Sequence, residues 1–187
     1  RFGLLHGDPH PGNYLILPAK AGERNGLPRF GVLDFGCVRR YPGTFVRDLA
    51  GLLRAVMEED REAAAKYYVK VGLLKEGENP ELLWPMSRMY LTPVLEDRPY
   101  HVASLDVIKM GTEGAKHILR NKFIPQYQPE FVFIDRTVVG FWSYLTRLKA
   151  SVNLHQILMS YVARGPWYDG AGEPRYESPR ERKKKKK

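Results

Sequence analysis

The chain has 187 residues but only one cysteine, Cys37, so it holds no internal disulfide framework and suits a reducing compartment. It also lacks a long apolar run. The longest uncharged stretches, 137–146 and 150–163, fall short of the roughly 20 residues needed to span a bilayer. No secretory signal peptide is visible, and a fragment boundary upstream would remove one. Histidine is sparse: His101, His117 and His155 match no zinc spacing, so His6-x-Asp8-x-His10 is read as imitating a metal cluster and a zinc site is not expected. Acidic residues are outnumbered, 21 against 30 Lys and Arg, for a formal net charge of +9.

What is present suffices for one domain with a sizeable core, at 43% apolar and 12% aromatic residues. The most informative stretch is His6-Gly7-Asp8-Pro9-His10-Pro11-Gly12-Asn13, followed by Val32-Leu33-Asp34-Phe35-Gly36. An aspartate, an asparagine five positions later and a second aspartate further on form the catalytic and metal-binding half of a phosphoryl-transfer site. Such a reaction needs an acceptor oxygen held in line and Mg²⁺ to neutralise charge on the nucleotide phosphates. Mg²⁺ prefers oxygen ligands and keeps several waters, so one carboxylate and one amide oxygen suit it. Asp34 is the candidate carboxylate and Asn13 the candidate amide. Asp8 stays free of metal and orients the attacking hydroxyl or accepts its proton. Pro9 and Pro11 stiffen the loop by fixing φ. Gly12 is expected to adopt a backbone angle that a Cβ would resist.

Each motif alone is also ordinary turn chemistry, and Asp34 could be a helix cap or turn former. The ordered pair, with apolar runs beside each piece, favours the functional reading. His6 is expected to be structural, its imidazole tying the first loop to the Asp34 turn. His10 is expected to orient its own loop by a hydrogen bond rather than to transfer protons. Cys37 follows Gly36 directly, which places it near a nucleotide as a small buried side chain rather than a redox sensor.

These two motifs resemble those of the AarF/UbiB family of atypical, protein-kinase-like proteins. Aminoglycoside and choline kinases share a similar first loop but usually lack the full Asp-Phe-Gly. Pro129-Glu130-Phe131, Asp135-Arg136-Thr137 and Leu148-Lys149-Ala150-Ser151-Val152-Asn153 are similar to that family's late helices, in order, to about residue 163. The resemblance implies an α+β, mostly helical fold, the C-terminal lobe of a kinase-like protein whose short β-hairpin carries the catalytic and metal-binding loops. It gives Asp8 the catalytic aspartate's place, Asn13 and Asp34 the metal ligands' places, and Asn13, Asp34 and Gly36 the nucleotide contacts. It implies ATP and Mg²⁺ as cofactors, and a supporting role in isoprenoid-quinone (ubiquinone) biosynthesis or related lipid metabolism. The family supplies no defined phosphoacceptor.

Some parts of the family pattern are missing. The chain opens at Arg1, five residues before the first motif, with no phosphate loop, no lysine–glutamate pair and no Lys-x-Gly-Gln signature. It therefore reads as a fragment whose N-terminal lobe lies upstream and is a partner for activity. Gly7 stands where many protein kinases carry the arginine that reads an activation-loop phosphate. A helix starting about eight residues after Gly36 leaves no room for a long activation segment, and no Ala-Pro-Glu anchor follows. Both features speak against a regulated kinase of proteins.

Two strands are predicted over 14–17 and 30–33, joined by an extended hairpin tip at 18–29 centred on Asn25-Gly26. Phe45, Leu49, Leu52, Leu53 and Val56 repeat at helical spacing after Thr44, read as an N-cap. Further helices are expected at 60–71, 80–96, 104–121, 130–149 and 153–164. Tyr67, Tyr68 and Val71 form the apolar side of the first of these. The 130–149 helix, apolar on more than one face, is expected to be a central core helix. Its run Phe141-Trp142-Ser143-Tyr144 is read as core packing rather than a ligand pocket, as are Met86, Met89 and Tyr90.

The kinase-like domain is assigned to 1–164 and a disordered basic tail to 165–187, whose composition cannot offset its ordering entropy. Eight basic against four acidic residues give the tail +4, leaving +5 of the total +9 upstream. Its lysine run, Lys183 to Lys187, is read first as a solvated tail, next as attracted to an anionic membrane surface, and last as a nucleic-acid contact. The resulting expectation is a cytoplasmic protein, or one peripheral to a membrane, whose partners are nucleotide, lipid or lipid-biosynthetic enzymes. Two other readings stay open: a small-molecule hydroxyl kinase, and a non-catalytic nucleotide-sensing scaffold lobe.

Overall fold

Two short antiparallel ladders open the chain in its computed structural model, which describes residues 3–19, 28–104, 106–123 and 128–162. Strand β1 (Leu4–His6) pairs with β4 (Val38–Arg40), and β2 (Tyr14–Leu17) pairs with β3 (Arg29–Val32). The β2–β3 pair agrees with the sequence expectation to within one residue. The centre of its expected hairpin tip, Asn25-Gly26, and the basic tail lie outside the described residues. Strands β1 and β4 were not anticipated, because three residues are too few to show an alternating pattern.

Helix α1 (Gly43–Met57) starts one residue before Thr44. Thr44 is therefore not its N-cap. That place falls to Pro42, whose fixed φ of −56° and carbonyl, accepting from Val46 N at 3.1 Å, begin the helix. Helix α2 (Arg61–Lys70) is capped by Asp60, which accepts from Ala63 N at 2.9 Å. Leu52, Ala55 and Val56 of α1 pack with Ala64 and Tyr68 of α2, and Val71, Leu74, Leu83, Trp84 and Phe123 complete the core. Tyr68 is buried, as expected from its place on the apolar face, and its hydroxyl donates to Ser87 Oγ at 2.8 Å.

The single helix expected at 80–96 is broken. A 3₁₀ turn at Pro80–Leu82, helix α3 (Trp84–Tyr90) and a second turn at Thr92–Val94 replace it. Pro85 suits the first turn of a helix but not its interior, and Pro93 cannot donate the next ladder bond. The Thr92 hydroxyl instead donates to the carbonyls of Arg88 and Met89. A short ladder joins β5 (Tyr100–His101) to β6 (Ser151–Val152). Helix α4 (Val107–Asn121) begins where Asp106 accepts from Lys109 N, three residues later than expected.

Helix α5 (Pro129–Arg147) is present, but it is not a central core helix. Among its residues only Thr137 is buried, and Val132, Val139 and Phe141 are exposed. Its apolar periodicity is real; the core, however, is built between α1 and α2, and α5 lies against the loop that follows β1, at Gly7, Asp8 and Pro9. Helix α6 (Leu154–Val162) closes on α1 through Val162, Leu158 and Met159 against Ala50, Val46 and Leu53. No helix among the described residues is long and apolar enough to cross a membrane. The architecture is mostly helical with small sheets, an α+β arrangement consistent with a kinase-like fold.

Candidate functional site

The two ladders place the two motif loops face to face. The β1–β4 ladder ends at His6 opposite Val38, and the β2–β3 ladder begins at Tyr14 opposite Val32. Residues 7–13 and 33–37 thus bulge from one broken hairpin. Main-chain bonds hold the rims: Gly7 N donates to Cys37 O at 3.0 Å, and Leu33 N to Asn13 O at 2.7 Å. The imidazole of His6 bridges the same gap, donating from Nε2 to the carbonyl of Asp34 at 2.9 Å, with that of Leu33 at 3.3 Å. This is the tie expected of His6.

Within the first loop, Asn13 Nδ2 donates to Asp8 Oδ2 at 2.8 Å. That bond leaves the Asn13 amide oxygen without a hydrogen-bond partner among the described residues. His10 Nδ1 accepts from Gly12 N at 3.1 Å, so His10 does orient its own loop. Gly12 is needed for a different reason than expected. Its φ is not positive; a Cβ there would lie 3.0 Å from His10 Nδ1 and crowd the ring. Pro11 opens the 3₁₀ turn that carries Asn13, and Pro9 is buried.

The unusual backbone belongs to Asp34, with φ 50° and ψ 86° in the left-handed region. Such a conformation costs a non-glycine residue about 1–3 kcal/mol and is held by its surroundings. Here the Asp34 carbonyl is gripped by His6, and its Oδ1 accepts from Gly36 N at 3.0 Å. A Cβ on Gly36 would approach that Oδ1 to 3.1 Å, so glycine leaves room for the carboxylate. Asp34 is exposed, and its second carboxylate oxygen is uncommitted among the described residues.

Two contributors were missed. Arg136 of α5 donates from Nη2 to Asp8 Oδ1 at 3.1 Å, from 128 positions away. Tyr14 follows Asn13 directly, and its hydroxyl pKa is raised by burial first, then by the Asp8 charge and by Tyr144. Its ring stacks on Phe30 at 5.2 Å, with Phe141 6.5 Å away. Helical spacing was the available signal for Arg136, since Phe133, Arg136, Gly140 and Tyr144 fall along one stripe of α5.

Asn13 and Asp34 thus leave open one amide and one carboxylate oxygen, on two loops tied together by His6, and donors of this kind suit a hard cation that retains water and phosphate ligands. Among the described residues no group of three or more His, Cys, Asp or Glu is placed to hold a metal by protein ligands alone. A site completed by phosphate oxygens fits this donor set, and a closed protein cage does not.

Residues 1–68 match the ABC1 atypical kinase-like domain family, and that stretch contains both loops and ends in α2. The chain is also similar to the solved structure of Rv3197 from Mycobacterium tuberculosis in complex with erythromycin, with a TM-score of 0.59 and 24% identity. The likeness covers 92% of this chain and 40% of that one, so the chain spans less than half of the neighbour's length. The shared fold extends beyond the family match through almost all of the chain.

Proposed function

We propose that the chain is the C-terminal lobe of an atypical kinase of the AarF/UbiB type, which binds Mg·ATP and, with an upstream lobe, hydrolyses it or transfers its phosphoryl group. The observation that carries this reading is the opposition of two loops tied by His6, with Asp8 and Asn13 on one and Asp34 on the other. The open oxygens of Asn13 and Asp34 would hold Mg²⁺, which supplies charge neutralisation at the nucleotide phosphates when bound. Asp8, fixed by Asn13 and Arg136, orients the acceptor hydroxyl or water and takes its proton at a carboxylate oxygen. Gly36 keeps the wall beside Asp34 low, so that phosphate can approach.

The turn from Gly36 to α1 at Gly43 is short, which disfavours docking of a peptide acceptor. Isoprenoid-quinone or related lipid metabolism is the biological setting that the AarF/UbiB resemblance suggests, and peripheral membrane association accords with it. A small-molecule hydroxyl kinase is the second reading; it draws support from the neighbour's complex with erythromycin, itself a small molecule.

Calorimetry on Asp34→Asn in the protein carrying its upstream lobe tests the assignment. Amide for carboxylate keeps the shape and removes the charge. Mg-dependent ATP binding should disappear while thermal unfolding stays cooperative. Wild-type affinity in that variant would remove Asp34 from the site and the reading with it.

A further inference from the structure

We infer that Arg136 is the positioning residue for Asp8, and that helix α5 serves as the rail along which the Asp8 loop is set. The inference rests on the phosphoryl-transfer reading for its kinetic consequence, but the geometry stands apart from it. The two oxygens of Asp8 are held by different parts of the chain. Oδ2 accepts from Asn13, inside the same loop, and Oδ1 accepts from Arg136 on α5. One bond alone would leave the carboxylate free to swing about it. Two bonds, one on each oxygen, fix its plane, and the second is charge-assisted.

The rest of the helix face follows the loop residue by residue. A Cβ on Gly7 would lie 3.2 Å from Phe133 Cδ1, so the loop passes directly over that ring. One turn on, Arg136 reaches Asp8. A further turn on, a Cβ at Gly140 would come within 2.4 Å of Pro9 Cγ, so the Pro9 ring lies against helix backbone. Phe141 then lies beside Tyr14, with ring centroids 6.5 Å apart. Among the described residues Arg136 makes no other hydrogen bond or ion pair. Its side chain is 57% exposed, against 26% for Asp8, and an exposed pair of this kind adds little to stability. Positioning is what the contact can supply, because a catalytic group displaced by about 1 Å can lose on the order of 100-fold in rate.

The test is a double-mutant cycle on the protein with its upstream lobe, using Arg136→Met, Arg136→Lys, Asp8→Asn and the Arg136→Met/Asp8→Asn pair. Arg136→Met should lower kcat for phosphate release by about 10–100-fold and leave KM for ATP within about twofold, at unchanged thermal stability. Arg136→Lys should recover part of the loss through a single-point contact. In the Asp8→Asn background, Arg136→Met should add nothing further. Unchanged kcat in Arg136→Met, or losses that simply add, would overturn the inference. Hydrogen exchange reads the same contact without turnover: Arg136→Met should quicken exchange at Gly12 and Asn13. A wild type with no ATP turnover, whose loop still loosens on losing Arg136, sinks the phosphoryl-transfer reading and keeps the positioning role. Loop exchange unaffected by Arg136→Met would overturn the positioning role.

Discussion

His6 donates from Nε2 to the main-chain carbonyl of Asp34 at 2.9 Å, and so binds the start of one loop to the strained residue of the other. The bond reaches backbone, so the Asp34 carboxylate stays available. It also opposes relaxation of Asp34 out of its left-handed conformation. His6→Leu should therefore weaken Mg·ATP affinity by about fivefold, near 1 kcal/mol for a lost hydrogen bond, with little change in fold stability. His6→Gln, which keeps a donor, should fall between. Equal affinities for all three proteins by calorimetry would show that the tie does not shape the site.

Gly140 faces the ring of Pro9 with no room for a methyl group, at 2.4 Å to Cγ and 2.8 Å to Cβ. Alanine would gain about 1 kcal/mol of helix propensity at this position. Overpacking against the buried Pro9 ring costs about 1–3 kcal/mol, so the clash should win. Gly140→Ala is expected to be destabilised by about 1 kcal/mol and to displace the Asp8 loop. Denaturant unfolding checks the first effect and turnover the second. A stabilised variant with normal turnover would mean that the loop yields freely.

The parts of the site that could be read from the sequence are those whose chemistry is local. Pro9, Pro11 and Gly12 restrict one loop, and the spacing of Asp8, Asn13 and Asp34 is what suggests the phosphoryl transfer proposed above, without any tertiary knowledge. The β2–β3 pair announced itself by apolar runs either side of Asn25-Gly26. Other features depend on what lies across a contact. Strands β1 and β4 are three residues each and pair over more than thirty positions, so nothing local marks them. The apolar stripes of α5 say what that helix could bury, not what is present to cover it, which is why Phe141 is 46% exposed. Arg136 lies 128 positions from Asp8, and only the folded chain brings the two together. The break in 80–96 is legible in Pro85 and Pro93, each of which fits the first turn of an element and not the interior of one long helix.

Tyr68 is almost wholly buried, and burial pushes its hydroxyl pKa up; the Ser87 hydrogen bond opposes this and the Glu81 charge adds to it. A raised pKa in the folded state means that the neutral phenol is favoured there. Its contribution to stability is complete below the unfolded value of about 10 and is lost as pH rises past it. Thermal unfolding should be flat up to about pH 9.5 on this account and decline above 10. Tyr68→Phe should flatten part of that decline, at a loss of about 0.5–1.5 kcal/mol from the missing bond to Ser87. An identical alkaline decline in the variant would assign it to other groups.

The last prediction concerns the chain by itself. Asp34 is exposed and Asn13 half-buried, on loops open to solvent. In water of high dielectric such groups gain little from a charged ligand. The proposed site also needs a covering loop and a lysine contact on the phosphates, which an upstream lobe would provide. The core between α1 and α2, by contrast, is built from residues within the chain. These 187 residues should therefore fold cooperatively yet bind Mg·ATP weakly and release no appreciable phosphate, with both properties restored when the upstream sequence is present. Calorimetry and a phosphate-release assay on the two proteins decide it. Micromolar Mg·ATP binding with turnover by the 187-residue chain would place the whole site within these loops and make the upstream lobe dispensable.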